Sequence, residues 1–214
     1  MILRTLGLTV LALAVAGCSR TGEISLDGGV GISAVRSPCP HVAVPAGTGD
    51  ITLFDPPASR ESTAIDVVAV MTNVATVCDE SGPDIATTVT FDVLARRRDT
   101  ATARDVTLPY FVTLVRGGSS VVAKRIGQVT VHFDAGQDRA QAQGSGVATV
   151  SRAAATLPPE VRERLTRKRK AGEEDAAIDP LADPTVRQAV TAATFESLVG
   201  FQLTEEQLKY NVTR

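Results

Sequence analysis

The sequence predicts a mainly β protein, an Ig-like antiparallel β-sandwich over residues 39–153 with a helical C-terminal extension over residues 154–214. Three observations predict this fold. Segments of alternating apolar and polar residues recur between residues 41 and 152, turn residues separate them, and the pattern becomes helical near residue 157. Seven or so strands joined by turns are typical of a sandwich.

The predicted strands follow one another from residue 41. They are HVAV (41–44), DITLF (50–54), TAIDVVAVMTNVATVC (63–78), DIATTVTFDVLARR (84–97), VTLPYFVTLVR (106–116), SVVAKRI (120–126), QVTVHFD (128–134) and GSGVATVSR (144–152). The segment 63–78 is about twice the usual strand length. Gly117 to Ser119 predict a hairpin turn. The side chains expected to face the core are Ile85, Thr87, Val89, Phe91, Val93, Ala95, Val129, Val131 and Phe133.

The first 17 residues have the pattern of an export signal. Arg4 precedes an apolar run of about a dozen residues, 5–16, which is too short to span a bilayer. Small residues follow, as they do before a signal-peptide cleavage site. We therefore predict that residues 1–17 are a signal peptide. The alternative is a short buried helix of the mature fold.

The sequence Val15-Ala16-Gly17-Cys18 resembles the lipobox of bacterial lipoproteins. The resemblance implies that Cys18 is acylated, becomes the first mature residue and anchors the chain in membrane lipid through several acyl chains. Ser19 follows in place of Asp, which implies sorting to the periplasmic face of the outer membrane in a Gram-negative envelope. Residues 19–38 are rich in Gly, Ser and charge, and they predict a flexible tether behind the lipidated cysteine.

Composition argues against nucleic-acid binding. The formal charge is −2, and it becomes −3 when Arg4 leaves with the signal peptide. A near-neutral, slightly acidic chain lacks the basic surface that nucleic-acid binding requires. The chain has no Trp and only 4% aromatic residues, which is poor material for stacking on sugars or bases.

Cys39 and Cys78 are the cysteines that remain once Cys18 is acylated. In an oxidising compartment we predict a disulfide between them, which would close a loop of about 40 residues and contribute roughly 4 kcal/mol. Two free thiols or a redox pair are the alternatives, although a redox pair normally has C-x-x-C spacing. If the strands beside the two cysteines run antiparallel, the bridge fixes the first edge strand.

A charged helix is predicted from Leu157, and an acidic linker, residues 171–183, follows it. The i,i+4 pairs expected to stabilise this helix are Glu160/Arg164, Glu163/Arg167 and Lys170/Glu174. It carries a basic cluster made of Arg162, Arg164, Arg167, Lys168, Arg169 and Lys170. On one helix, these side chains would surround most of the circumference. They predict either a solvated helix neutralised by the following acids or a surface for anionic lipid or an acidic partner.

Two more helices are predicted after the linker. Asp183 caps the first, with Pro184 at its first position, and its weakly apolar face continues until Gly200 ends it. The second begins at Thr204, where Gln207 completes a capping box. The residues expected to form a partner surface are Phe195, Leu198, Val199, Phe201, Leu203, Leu208 and Tyr210.

The motifs in the sequence predict no catalytic, cofactor or metal site. His41 and His132 lie in different predicted strands without cysteine or carboxylate at metal-ligand spacing. Ser145 is not in a G-x-S-x-G motif, and GTGD at 47–50 lacks the lysine and helix of a phosphate loop. A Ca²⁺ site in a strand-joining loop is an alternative, with scattered acids at Asp66, Asp79, Glu80, Asp84 and Asp92.

Cys39-Pro40, the distant Cys78 and LPYFVTLV at 108–115 resemble a group of uncharacterised alphaproteobacterial envelope lipoproteins. The resemblance implies an envelope address and no activity. We therefore expect a lipid-anchored, non-catalytic interaction module in envelope assembly or maintenance, with an envelope protein partner. A small-ligand-binding lipoprotein with a pocket in or beside the sandwich is the alternative, and an enzyme with spatially assembled carboxylates is the third.

Overall fold

A computed structural model describes residues 36–170, 172–174 and 176–213, and in this part of the chain eight strands form two facing sheets. Sheet A contains, in spatial order, β1 (His41–Ala43), β8 (Phe195–Phe201), β5 (Arg104–Arg116) and β6 (Ser120–Phe133). Sheet B contains β2 (Asp50–Phe54), β3 (Ile65–Asp79), β4 (Asp84–Arg97) and β7 (Arg139–Ser151). All neighbouring strands are antiparallel except β1 and β8. The predicted β-sandwich is confirmed.

The core lies between the sheets and follows the period-two pattern of the strands. Every side chain predicted to face inward on β4 and on the second half of β6 is buried. The largest fully buried side chains include Phe91, Phe133, Phe201, Ile51, Ile85 and Leu108. Large side chains from both sheets therefore fill the space between them.

β5, β6 and β7 are longer than predicted, and the predicted break at residue 127 does not interrupt β6. β6 is one strand of 14 residues that joins the two predicted segments 120–126 and 128–134. β3 is 15 residues long and carries a register shift between Thr72 and Ala75. Within this shift Asn73 has φ of 50°, in the left-handed region that Asn tolerates better than most residues. The predicted hairpin turn is confirmed, since Gly117 and Gly118 connect β5 to β6 with positive φ.

The C-terminal region contains helices, as predicted, but one predicted helical segment is a strand. The helices are α1 (Arg152–Ala155), α2 (Pro159–Thr166), α3 (Pro184–Ala192) and α4 (Glu205–Thr213), and 3-10 turns occupy Ser62–Ala64 and Pro180–Ala182. The prediction that one helix continues to Val199 is wrong, because α3 ends at Ala192 and β8 begins at Phe195. β8 inserts between β1 and β5, so the sequence after residue 153 completes sheet A.

Local capping signals were predicted correctly. The Asp183 carboxylate accepts a hydrogen bond from the Thr185 amide, with Pro184 at the first position of α3. The Thr204 hydroxyl accepts from the Gln207 amide, while the Gln207 side chain accepts from the Thr204 amide, which is the predicted capping box. Among the described residues, no helix is both long and apolar enough to cross a membrane.

Arg97 holds together the loops at one end of the sandwich. Its side chain is only 3% exposed. Its guanidinium donates to the carbonyls of Gln137, Thr100, Thr102 and Asp134, and it lies 5.1 Å above the centre of a core phenylalanine ring. A buried charge with this many acceptors is stable because four of its five N–H groups have a partner that replaces water.

Candidate functional site

Cys18, the predicted lipid anchor, lies outside the described residues, as do the signal peptide and most of the predicted tether. The described chain begins at Arg36, whose guanidinium donates to the carbonyl of Ala193 at 3.3 Å. Burial lowers the pKa of this guanidinium. Arg36 also lines a cavity of about 210 Å³ together with Leu157 and Leu165. The last residues of the predicted tether therefore pack against the folded body.

The predicted disulfide between Cys39 and Cys78 is confirmed, with the two Cα atoms 6.2 Å apart. Its placement differs from the expected one. Cys39 precedes β1 in sheet A, and Cys78 lies on β3 in sheet B, so the bridge joins the two sheets instead of neighbouring strands. Glu80 lies close to both sulfurs. Because the sulfurs bond to each other, this group presents no thiolate that could bind a metal.

The basic cluster does not surround one helix. α2 ends at Thr166, so only Arg162 and Arg164 of the six basic residues lie on it, and the others follow in irregular chain. The residue after α2, Arg167, has φ of −59° and ψ of 125°, which lies outside the helical region. Arg169 is buried, and its side chain donates to the carbonyl of Arg164. The predicted circumference of basic side chains is therefore wrong.

Acidic residues from the predicted linker neutralise part of this cluster. Arg164 pairs with Asp183 at 2.8 Å, and Arg167 pairs with Glu173 at 3.4 Å. Among the described residues, these ion pairs stand in place of the predicted Glu160/Arg164, Glu163/Arg167 and Lys170/Glu174 pairs. The Thr185 and Arg164 hydrogen bonds lower the pKa of Asp183 to about 2. This pattern supports the interpretation of the run as a segment neutralised by its own chain.

The predicted partner surface is divided between core and surface. Phe195, Val199 and Phe201 point between the sheets and are buried, because β8 places alternate residues on the core side. They cannot contact a partner in the folded state, and this part of the prediction is wrong. Leu198 and Leu203 are half-buried, and Leu208 and Tyr210 lie on α4. The Tyr210 ring contacts the Phe54 ring edge-on, with centroids 5.1 Å apart.

The outer face of sheet B carries an apolar surface that the sequence analysis did not single out. Its most exposed large apolar side chains are Val70 (44%), Val77 (73%), Leu94 (49%) and Val147 (43%). Val68, Val70 and Leu94 form the floor of a shallow concavity of about 760 Å³. Arg96 and Arg139 border it, and they are directly opposite each other on β4 and β7. Like charges in this position repel each other, and an ion pair between Arg96 and Asp138, at 3.2 Å, offsets part of that repulsion.

Polar residues occupy the middle of the same face. The Asp92 carboxylate accepts hydrogen bonds from the side-chain amides of Asn73, at 2.6 Å, and Gln143, at 3.0 Å. These bonds lower the pKa of Asp92, the Asn73 bond contributing most. The three residues come from three strands, so no local sequence pattern could have predicted the cluster.

Among the described residues, His132 is the histidine whose two ring nitrogens each face a carboxylate. Its Nδ1 lies 2.5 Å from the Asp105 carboxylate, and its Nε2 lies 3.5 Å from that of Asp134. The hydrogen bond and charge of Asp105 are the main causes that raise the pKa of His132. All three side chains are more than half exposed. The arrangement can hold a proton on the imidazole, but it lies on an open sheet surface.

Comparisons with known proteins give no relative from which a function could be inferred. No protein-family model, no curated protein and no solved structure matches the chain. The candidate site is therefore defined by physical features of the described residues alone: a disulfide between the sheets and an exposed face on sheet B.

Proposed function

We propose that the protein is a lipid-anchored, non-catalytic interaction module of the periplasmic envelope, held at the inner surface of the outer membrane through Cys18. The Cys39–Cys78 disulfide is the structural observation that carries the proposal. Disulfides persist in oxidising compartments such as the periplasm, and an apolar N-terminal run that ends in Val15-Ala16-Gly17-Cys18 is consistent with export to it.

An interaction role fits the distribution of the described side chains better than catalysis does. Phe91, Phe133 and other large side chains fill the space between the sheets. Val70, Val77, Leu94 and Val147 on the outer face of sheet B are exposed and available for contact, as are Val121, Val122 and Ile126 on β6 of sheet A. His132 and Asp105 are exposed on a sheet surface, where water screens their charges and no wall positions a substrate beside them. The outer face of sheet B is suited to binding a partner protein, because the surface of the partner would cover its exposed side chains.

A small-ligand-binding lipoprotein is the second candidate function. The concavity above Val68, Val70 and Leu94 favours it, because two arginines stand beside an apolar floor. This combination suits a ligand with an apolar body and an anionic group. An open sheet face covers only one side of such a ligand, whereas typical small-molecule sites bury most of the ligand surface.

Fatty-acid labelling in a Gram-negative host tests the anchor. The wild-type chain should incorporate an alkyne-tagged fatty acid and fractionate with the outer membrane, whereas Cys18→Ala should lose the label and accumulate uncleaved. Cys78→Ser is the matched control, since it removes a cysteine from the folded body and should keep the label. Unchanged labelling of Cys18→Ala would refute the anchor.

A further inference from the structure

The four edge strands of the two sheets are protected to very different degrees. Natural proteins protect sheet edges by making them short, covering them, or adding charges and bulges, because an open edge pairs with other chains. β1 has three residues and follows the disulfide-bonded Cys39. β2 has five, and Asn211 of α4 donates to the carbonyls of Gly47 and Asp50 beside it. β6 has a register shift and carries Lys124 and Arg125.

β6 lies close beside β7, but β7 is neither short, nor charged, nor interrupted by a bulge over most of its length. It is 13 residues long, and from Ala140 to Ser151 it contains neither a charged residue nor a proline. Its register with β4 runs without a shift from Arg139 to Ser151. A long, regular and uncharged edge is the kind that accepts another strand.

The hydrogen-bond pattern shows which groups of β7 face the open edge. The Arg97 amide donates to the Asp138 carbonyl, and the Arg152 amide donates to the Pro83 carbonyl, at the two ends of the β4–β7 pair. Because hydrogen-bonded pairs alternate in an antiparallel ladder, the even-numbered residues of β7 bond to β4. The odd-numbered residues, from Arg139 to Ser151, therefore direct their amides and carbonyls away from sheet B.

We propose that β7 pairs antiparallel with β7 of a second copy of this chain, around a two-fold axis at Ser145. Ser145 is the central residue of the strand, so this register brings the whole length of both strands together. Gln143 then lies opposite Val147 of the second copy, and Gln141 lies opposite its Thr149. No like charges oppose each other along the seam.

Charge complementarity at the ends of the seam favours a second copy over an unrelated strand. Arg139 and Asp84 are exposed, and the described residues give neither an ion-pair partner. Asp84 lies beside Ser151 on β4, and Ser151 lies opposite Arg139 of the second copy. The two charges are then two strand spacings apart, about 10 Å between backbones, which the long arginine side chain spans. The dimer thus brings an acid to Arg139 at both ends of the seam, whereas Arg96 already pairs with Asp138 within the chain.

The Tyr110 hydroxyl donates to the Ser145 carbonyl at 2.5 Å, so one edge acceptor already has a partner within the chain. A carbonyl oxygen has two lone pairs and can accept a second bond from the amide of the facing strand. The remaining outward groups of Gln141, Gln143, Val147 and Thr149 lie on either side of this position.

Oxidative crosslinking of the full chain tests the interface. In the proposed register the two Ser145 Cα atoms are about 5.5 Å apart, within the range that a disulfide spans. Ser145→Cys should give a covalent dimer on a non-reducing gel. The matched control is Thr90→Cys, on the same face but one strand inward, where the two Cα atoms would be about 14 Å apart. Thr90→Cys should give no dimer above the wild-type background.

Charge variants test the register and the identity of the partner. In the Ser145→Cys background, Gln143→Lys with Val147→Lys opposes lysines twice and should weaken association by roughly tenfold. Thr88→Lys with Thr90→Lys adds the same charge one strand from the seam and should change it little. Asp84→Arg should reduce the dimer, and adding Arg139→Asp should restore it.

Two results would overturn the proposal. The first is a Ser145→Cys chain that stays monomeric, or forms no more dimer than Thr90→Cys, at equal expression and with unchanged thermal stability. The second is a Ser145→Cys crosslink to a different polypeptide, which would assign the edge to another protein's strand. Either result leaves the lipid anchor untouched, because fatty-acid labelling of Cys18 does not depend on β7.

Discussion

Sheets A and B differ in how the chain assembles them and in what lies on their outer faces. Sheet A places β1, from the start of the described chain, beside β8, which follows about 150 residues later. Thr113 and Val115, on the side of β5 away from the core, are also buried. Sheet B has an exposed outer face with Val70 and Leu94 accessible to water. The two sheets therefore differ in how much of the outer face is covered: the outer side of β5 is partly buried in sheet A, whereas exposed apolar side chains lie on β6 and on the strands of sheet B.

The largest expected effect on stability comes from the buried side of β8, and the exposed face of sheet B provides the comparison. Phe201 is fully buried, and Phe201→Ala should destabilise the fold by roughly 3–5 kcal/mol, because it leaves a cavity between the sheets. Val77→Ala, on the outer face of sheet B, should change stability by less than about 0.5 kcal/mol. Urea denaturation followed by circular dichroism measures both. Equal effects of the two changes would contradict the assignment of β8 to the core.

The second prediction concerns the stability that the disulfide between the two sheets contributes. Cys39→Ser with Cys78→Ser should destabilise the protein by about 4 kcal/mol in the chain-entropy model, because the bridge spans 39 residues of sequence. The same urea experiment measures the loss, and adding reductant to the wild type should reproduce it. A fold that is equally stable with and without the bridge would show that core packing alone holds β1 and β3 in place.

Substitution of Arg97 tests how much its buried hydrogen bonds stabilise the end of sheet B where the loops converge. Arg97→Ala would leave the carbonyls of Gln137, Thr102 and Asp134 without their donor, and we expect a loss of roughly 3 kcal/mol. Arg96→Ala is the matched control, since Arg96 is exposed and its ion pair with Asp138 is worth at most about 1 kcal/mol. Thermal unfolding of the two variants distinguishes a buried network from a surface pair.

The features that the sequence predicted are those with a local cause. The alternation on β4, the turn at Gly117 and the capping box at Thr204 each arise from a few neighbouring residues. The disulfide followed from elimination, since Cys18 had another role assigned. Its position across the two sheets could not be predicted, because it depends on which sheet each strand joins.

β8 shows why the rest of the fold was missed. Phe195, Leu198 and Val199 are spaced by three and four residues, so they satisfy a helical period, while Phe195, Val199 and Phe201 also fit a strand. Pairing with β5, whose partner residues lie 79 to 91 positions earlier in the sequence, decides between the two. The groups around Asp92 and His132 have the same origin, since their members come from different strands.

The smallest expected effect concerns proton binding on the outer face of sheet A. Asp105 and Asp134 raise the pKa of His132, so the imidazolium form is favoured in the folded state. A raised folded pKa contributes stability that is fully present below the unfolded value of about 6.5 and is lost as the pH rises through the folded value. NMR titration of the His132 ring should give a midpoint above that of a model histidine, and Asp105→Asn should lower it. An unchanged His132 midpoint in Asp105→Asn would show that the carboxylate does not hold the proton. The outer face of sheet A would then have no pH response at His132, and this difference from the apolar part of sheet B would be lost.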